Sequence, residues 1–221
     1  MHGALAELLK NTLLVFGALM PIVNPLGSAP IFLTLTRGLS GRDRAVLSRM
    51  IALNGLALIV ASIFTGTHIL KFFGISLPVV QVGGGLVVLS TGWNLLRSPD
   101  EDRGSGEEKP CREGDYARQA FYPLTLPLTV GPGSISVAIA VGANRKEGSE
   151  WAWPLITGML LGSVLMALSI YISYRFADRL ANALGEAAMN VIVRLSSFIL
   201  VCIGVQIFWN GLSALLRGVL R

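Results

Sequence analysis

LLKNTLLVFGALMPIVNPLGSAPIFLTLT, from Leu8 to Thr36, is a nearly unbroken apolar run that carries Pro21, Pro25 and Pro30 within ten residues. Its 29 residues exceed the roughly 20 that cross a hydrocarbon core. Proline inside a helix removes a hydrogen bond and clashes with the preceding turn. Asn24-Pro25 followed by Gly27 therefore reads as a break inside a membrane span. The pattern predicts two half-helices, with Ser28 as the N-cap of the second and Pro30 in its first turn. Helices are the default in lipid, because every backbone group must be bonded internally. The strict alternation of a barrel strand is absent. The stretch also lacks the basic flank and small-residue cleavage site of a signal peptide.

The same punctuation recurs in LPLTVGPGSISVA, Leu126 to Ala138. Pro123, Pro127 and Pro132 repeat the prolines, Gly131 and Gly133 supply permissive backbone, and Ser134 is read as the second N-cap. Apolar segments place six spans at 8–36, 50–70, 75–96, 120–143, 152–174 and 194–216. The second and fifth share Asn54-Gly55 and Thr157-Gly158, and the third and sixth are laid together at an offset of 113, Gln81 against Arg194. Three spans per half is an odd number, so equivalent halves must have opposite topology. The expected fold is an all-α integral membrane protein of six transmembrane helices. They form two inverted three-helix repeats, with the first and fourth helices broken. Residues 1–96 and 120–221 are the repeats, joined by a charged linker, 97–119.

Composition agrees. Hydrophobic residues make up 52%, charged residues 14%, and mean hydropathy is +0.63. A soluble domain carries about 25% charged residues, so this chain lacks the charge to cover a soluble surface. Disorder and collagen-like fibres are excluded, and Cys111 and Cys202 make no disulfide framework. The net charge of +5 is assigned to loops at a membrane surface, not to nucleic-acid binding. Twelve of the 18 Lys and Arg residues fall in the first, central and fifth connections or at their edges. The positive-inside rule then puts those connections in the cytoplasm and both termini outside, in a prokaryotic inner membrane. The linker holds 12 of the 31 charged residues, and is read as flexible and solvated, with metal binding by its acidic cluster as the alternative.

The breaks also carry the functional reading. A half-helix start exposes unpaired N–H groups and a partial positive charge, which suits a carboxylate. Loose carbonyls on the other side of each break suit an ammonium. Two such breaks near the midplane make a site for a small zwitterion, drawn from Asn24, Pro25, Gly27, Ser28, Thr129, Gly131, Pro132, Gly133 and Ser134. Gln206 is added to this set. It shares a helix face with Asn210, four residues on, and the alternative role for the pair is to bond helices together. No Asp or Glu lies in a span interior, so a coupling proton or sodium ion would have to meet carbonyls, hydroxyls and amides. Gly83 to Gly85, and Gly158 with Gly162, are read as helix-packing positions. HExxH, GxSxG and P-loop motifs are absent. No catalytic residue, metal or cofactor is expected. The expected partners are the substrate, the lipid bilayer and a second copy in a homo-oligomer, with no nucleic acid.

Asn24-Pro25-Leu26-Gly27 with Pro30 and Phe32, then Pro123-Leu-Thr-Leu-Pro127 with Gly131-Pro132-Gly133, resemble the MarC family of inner-membrane proteins. Arg194-Leu195, Gly204-Val205-Gln206 and Asn210-Gly211 are similar to its C-terminal signature. The resemblance covers nearly the whole chain. It implies six spans, a cytoplasmic central loop and kinship with transporters of small neutral amino acids. It places the broken-helix positions at Asn24, Pro25, Gly27, Gly131, Pro132 and Gly133. Ser134 departs from the small apolar residue or Thr that relatives often carry. Three functions follow for comparison: a secondary transporter for glycine- or alanine-like substrates, a passive channel, and a non-transporting membrane partner.

Overall fold

The computed structural model describes residues 2–36, 38–97, 116–143 and 152–219, and every regular element among them is helical. The acidic cluster and Cys111 lie outside the described residues. Helix α1 spans His2–Val23 and α2 spans Pro25–Leu35, with Asn24 alone between them. α3 is Gly41–Phe72 and α4 is Leu77–Arg97. The short α5, Tyr116–Gln119, continues into a π-helical stretch, Ala120–Thr129, and α6 follows at Pro132–Ala143. α7 is Ala152–Arg175 and α8 is Ala177–Val219, with a non-helical kink at Gly185.

Among the described residues five helices are long and apolar enough to cross a membrane, and a sixth is counted if the bent pair around Val130 is one span. The candidate spans are Gly3–Leu33, Gly41–Phe72, Leu77–Arg97, Trp153–Arg175 and Asn190–Gly218, with the bent pair Tyr116–Thr129 and Pro132–Ala143. They overlap the expected six, but α3 begins nine residues earlier than 50–70 because Ser40 caps it. The Ser40 hydroxyl accepts from the Asp43 N–H at 3.2 Å, which satisfies a first-turn donor.

Two contacts gather three connections at one end of the bundle. Arg44, at the start of α3, pairs with Asp178 at the start of α8. α5, where the chain re-enters after the linker, packs on α3. Leu19, Phe32, Ile51, Ile59, Leu124, Met166 and Ile170 form the buried centre, contributed by α1, α2, α3, α7 and the π-helical stretch. Large apolar side chains such as Leu13, Leu53, Leu168 and Phe198 stand exposed on the outside. A hydrocarbon solvent makes that surface tolerable, where water would not.

The helix packing crosses from one half of the chain to the other. α4 packs along α8 and α3 along α7. α1 packs on α7, as α6 and the π-helical stretch pack on α3. α6 packs on α4, as α2 packs on α8. α2 packs on α7 as well, and with it exchanging the halves maps these named contacts onto one another. The α4–α8 seam repeats the symmetry atom by atom. A Cβ on Gly92 would meet the Ser197 carbonyl and the Val201 nitrogen, while one on Gly211 would meet the Pro78 carbonyl and the Val82 nitrogen. Gly85 lies against the Phe208 backbone and Gly204 against that of Leu89. Gly92 and Gly211, and likewise Gly85 and Gly204, are 119 positions apart. That differs from the offset of 113 at which the third and sixth spans were laid together by sequence. Apolar helices are interchangeable by hydropathy, and close backbone approach selects the register.

Candidate functional site

The first interruption is one residue wide. Asn24 has φ +45°, a conformation that asparagine tolerates better than most side chains. Asn24 closes α1 and opens α2: its N–H reaches the Met20 carbonyl at 2.9 Å, and its carbonyl accepts from the Ser28 N–H at 3.0 Å. The Asn24 Oδ1 accepts from the Gly27 N–H at 3.2 Å. Asn24 is thus the cap of α2, and Pro25 takes the first helical position, where its missing N–H costs nothing. This corrects the expectation for Ser28 and Pro30, which lie inside α2. A side chain at Gly27 would strike the Asn24 amide.

The second interruption is larger, with the helices on either side bent by 72°. The approach to it reads Pro123-Leu-Thr-Leu-Pro127-Leu-Thr, a Pro-Leu-Thr unit twice over. Proline cannot donate a backbone hydrogen bond, and here the threonine hydroxyls donate instead. Thr125 Oγ1 bonds the Ala120 carbonyl and Thr129 Oγ1 the Leu124 carbonyl, each at 2.6 Å and five residues back. The Val130 N–H reaches the Thr125 carbonyl at 2.8 Å in the same spacing. That spacing is π-helical. Pro132 opens α6, so Ser134 lies within the first turn and its hydroxyl donates back to the Gly131 carbonyl at 2.9 Å. Gly131 has no side chain to cap the N–H groups of Gly133 and Ser134. Those groups have no intrahelical acceptor.

Tyr174 of α7 ties the two interruptions together. Its hydroxyl is 2.8 Å from Thr129 Oγ1. Thr129 spends its single proton on the Leu124 carbonyl, so the phenol must donate to Thr129. The Tyr174 ring is buried and stacked on Phe32, with centroids 4.6 Å apart and planes within 6°. Sequence reading missed Tyr174, because a tyrosine beside Arg175 at a span end looks like an interfacial anchor.

Between the interruptions lies a cavity of about 380 Å³. Of the ten residues singled out in the sequence, Asn24, Gly27, Ser28, Thr129, Gly131, Pro132, Gly133 and Ser134 line it. Pro25 is buried at the start of α2, outside the lining. Gln206 is exposed on the outer face of α8, also away from the lining. The other wall was not anticipated. It comes from the third helix of each half, through Val88 and Thr91 of α4 and Val193, Ser197 and Leu200 of α8. These residues look like ordinary apolar or small helix positions. Every lining residue is uncharged. The site's polarity therefore rests on two helix starts, two preceding helix ends, an amide and hydroxyls. Gly133 has a packing duty too, since a Cβ there would collide with Val88.

The family model for MarC family integral membrane proteins matches residues 9–216. The chain is 29% identical over 216 residues to the inner membrane protein MarC of Escherichia coli O157:H7, covering 96% of this chain and 98% of that one. The same figures hold for inner membrane protein MarC of Escherichia coli strains SMS-3-5 and K12 / DH10B. No solved structure matches the chain. A family match spanning both interruptions and both walls of the cavity assigns the protein: it belongs to the MarC family of integral membrane proteins.

Proposed function

We propose that this chain is a secondary transporter of small neutral amino acids, of the glycine or alanine type, in a prokaryotic inner membrane. The observation that carries the proposal is one uncharged cavity of about 380 Å³ walled by both helix interruptions. That volume is near the lower end of the roughly 300–1,000 Å³ of small-molecule sites. The substrate carboxylate meets the Gly133 and Ser134 N–H groups at the start of α6, where the helix dipole favours negative charge. The ammonium meets carbonyls and hydroxyls at the helix ends, with Thr129 and the Asn24 amide within the same wall. A net-neutral substrate needs no charged side chain, in keeping with the lining. A coupling proton or sodium ion would use the same carbonyls and hydroxyls.

Two inverted three-helix repeats, 1–96 and 120–221, are part of this reading. The exchange symmetry of the helix contacts and the mirrored glycine seam support it. Both termini are assigned to the outside, which puts the Arg44–Asp178 end and the linker in the cytoplasm. Alternating access then comes from one repeat rocking against the other.

A thermal-shift screen of the common amino acids on the purified protein tests the site. Ligand at 100 times its Kd stabilises the folded state by about 2.7 kcal/mol, so glycine or alanine should raise Tm while bulky amino acids do not. Thr91→Trp fills the α4 wall without touching either interruption and should abolish that shift in a folded protein. A shift that survives Thr91→Trp refutes the site, and no shift with any amino acid favours the non-transporting partner. Saturable uptake in proteoliposomes is expected, whereas flux linear in concentration would identify a channel.

A further inference from the structure

We propose that the protein forms a parallel two-fold dimer through the outward face of α8, centred on Gln206 and Asn210. α8 carries two seams. One, through Ser197, Val201, Gly204, Phe208 and Gly211, lies against α4. The other runs from Leu195 through Ile199, Cys202, Gln206 and Trp209 to Leu216, in steps of four and three with Ser213 completing the series. All six of the first-named residues on this second seam are exposed. A stripe in alternating steps of four and three is the geometry by which parallel helices pack in register.

The amides say what covers the stripe. Gln206 Nε2 donates to Asn210 Oδ1 at 2.8 Å. That leaves the pair with one free carbonyl oxygen and one free amide nitrogen, and turning both amides over leaves the same inventory. Gln206 lies near the middle of the span Asn190–Gly218, where lipid chains offer neither donor nor acceptor. A second copy related by a two-fold axis offers both. The free nitrogen of each copy meets the free oxygen of the other, giving two reciprocal bonds. Copies inserted with the same topology are parallel, so the axis runs along the membrane normal. A single polar position in an otherwise apolar seam is also how helix pairs fix register. The surrounding coverage agrees. The α4 and α8 spans have 22% of their most apolar window buried, against 39% for α1–α2, α3 and α7.

Cys202, one turn from Gln206 on the same stripe, is exposed and free, which makes it a reporter. In a parallel dimer each seam position faces its own counterpart. With Cys111→Ser in the background, mild oxidation of native membranes should cross-link Cys202 into a species of twice the chain mass. Moving the thiol to the exposed face of α7, as Cys202→Ser with Leu165→Cys, should give no such species. Gln206→Leu with Asn210→Leu should raise the dimer Kd, read by photobleaching in liposomes at graded dilution, roughly tenfold. That is the effect of two interhelical amide bonds at their strength in bilayers. Thermal unfolding in detergent reports whether the double variant still folds. Three results overturn the proposal: equal cross-linking at positions 202 and 165, a dimer Kd unmoved by the leucine pair, or Cys202 captured by a polypeptide of another mass in place of its own copy.

Discussion

Asn24 holds its position through two demands that few residues meet together. It must accept φ +45° and its side chain must cap the Gly27 N–H. Alanine meets neither, whereas glycine meets the first. Losing an N-cap to alanine costs about 1 kcal/mol and to glycine only a few tenths, and the positive φ adds strain for alanine alone. Asn24→Ala should therefore unfold at lower denaturant than Asn24→Gly, measured by tryptophan fluorescence in detergent. Equal loss in the two variants would show that the amide, not the backbone, carries the position. The sequence reading placed a break at Asn24-Pro25 but assigned the capping role there to Ser28. An Asn-Pro pair and a serine three residues on are both good cap signals, and only the backbone path chooses between them. Tyr174 was hidden for a related reason. Its partners Phe32 and Thr129 are 142 and 45 residues away in the chain, and no local pattern connects them.

At the scale of elements, the prolines announced both interruptions but not their forms. Pro25 and Pro132 each occupy a first helical position, yet one junction is a single residue wide and the other bends by 72°. The difference lies upstream. Thr125 and Thr129 supply hydroxyl donors at a spacing of five and sustain a π-helical path into the second junction. Glycine shows the same limit. Gly83 and Gly85 are near neighbours in one glycine run, but a Cβ at Gly83 meets nothing within 4 Å, while one at Gly85 runs into the Phe208 backbone. Gly83→Ala should be neutral or stabilising by up to about 1 kcal/mol, from helix propensity. Gly85→Ala should destabilise by roughly 1–3 kcal/mol, as overpacking does, because backbone cannot move aside as a side chain can. Unfolding curves of the two variants in detergent or bicelles separate these outcomes. An equal response at both positions would mean that the α4–α8 seam is not close-packed.

At the scale of the molecule, the halves interlock. α3 and α4, consecutive in the chain, pack chiefly on α6, α7 and α8. Residues 1–96 expressed alone lack the surfaces on which α1, α3 and α4 bury themselves, and residues 120–221 lack theirs. Each half alone should be degraded or aggregate. The two co-expressed without the linker should co-purify as a folded pair, checked by affinity capture through a tag on one half. Folding of a lone half would contradict the interlocked packing. The apolar composition, the six segments and the paired proline motifs were enough to define a helical membrane protein and to pick eight of the residues that line its cavity. Those features are local, because lipid imposes span length and internal hydrogen bonding on each segment separately. The register of α4 on α8, the Tyr174–Thr129 hydrogen bond and the outward turn of Gln206 were decided only by tertiary structure. Between apolar helices in an apolar solvent, hydropathy does not distinguish one face from another, and close backbone approach and side-chain hydrogen bonds make that choice.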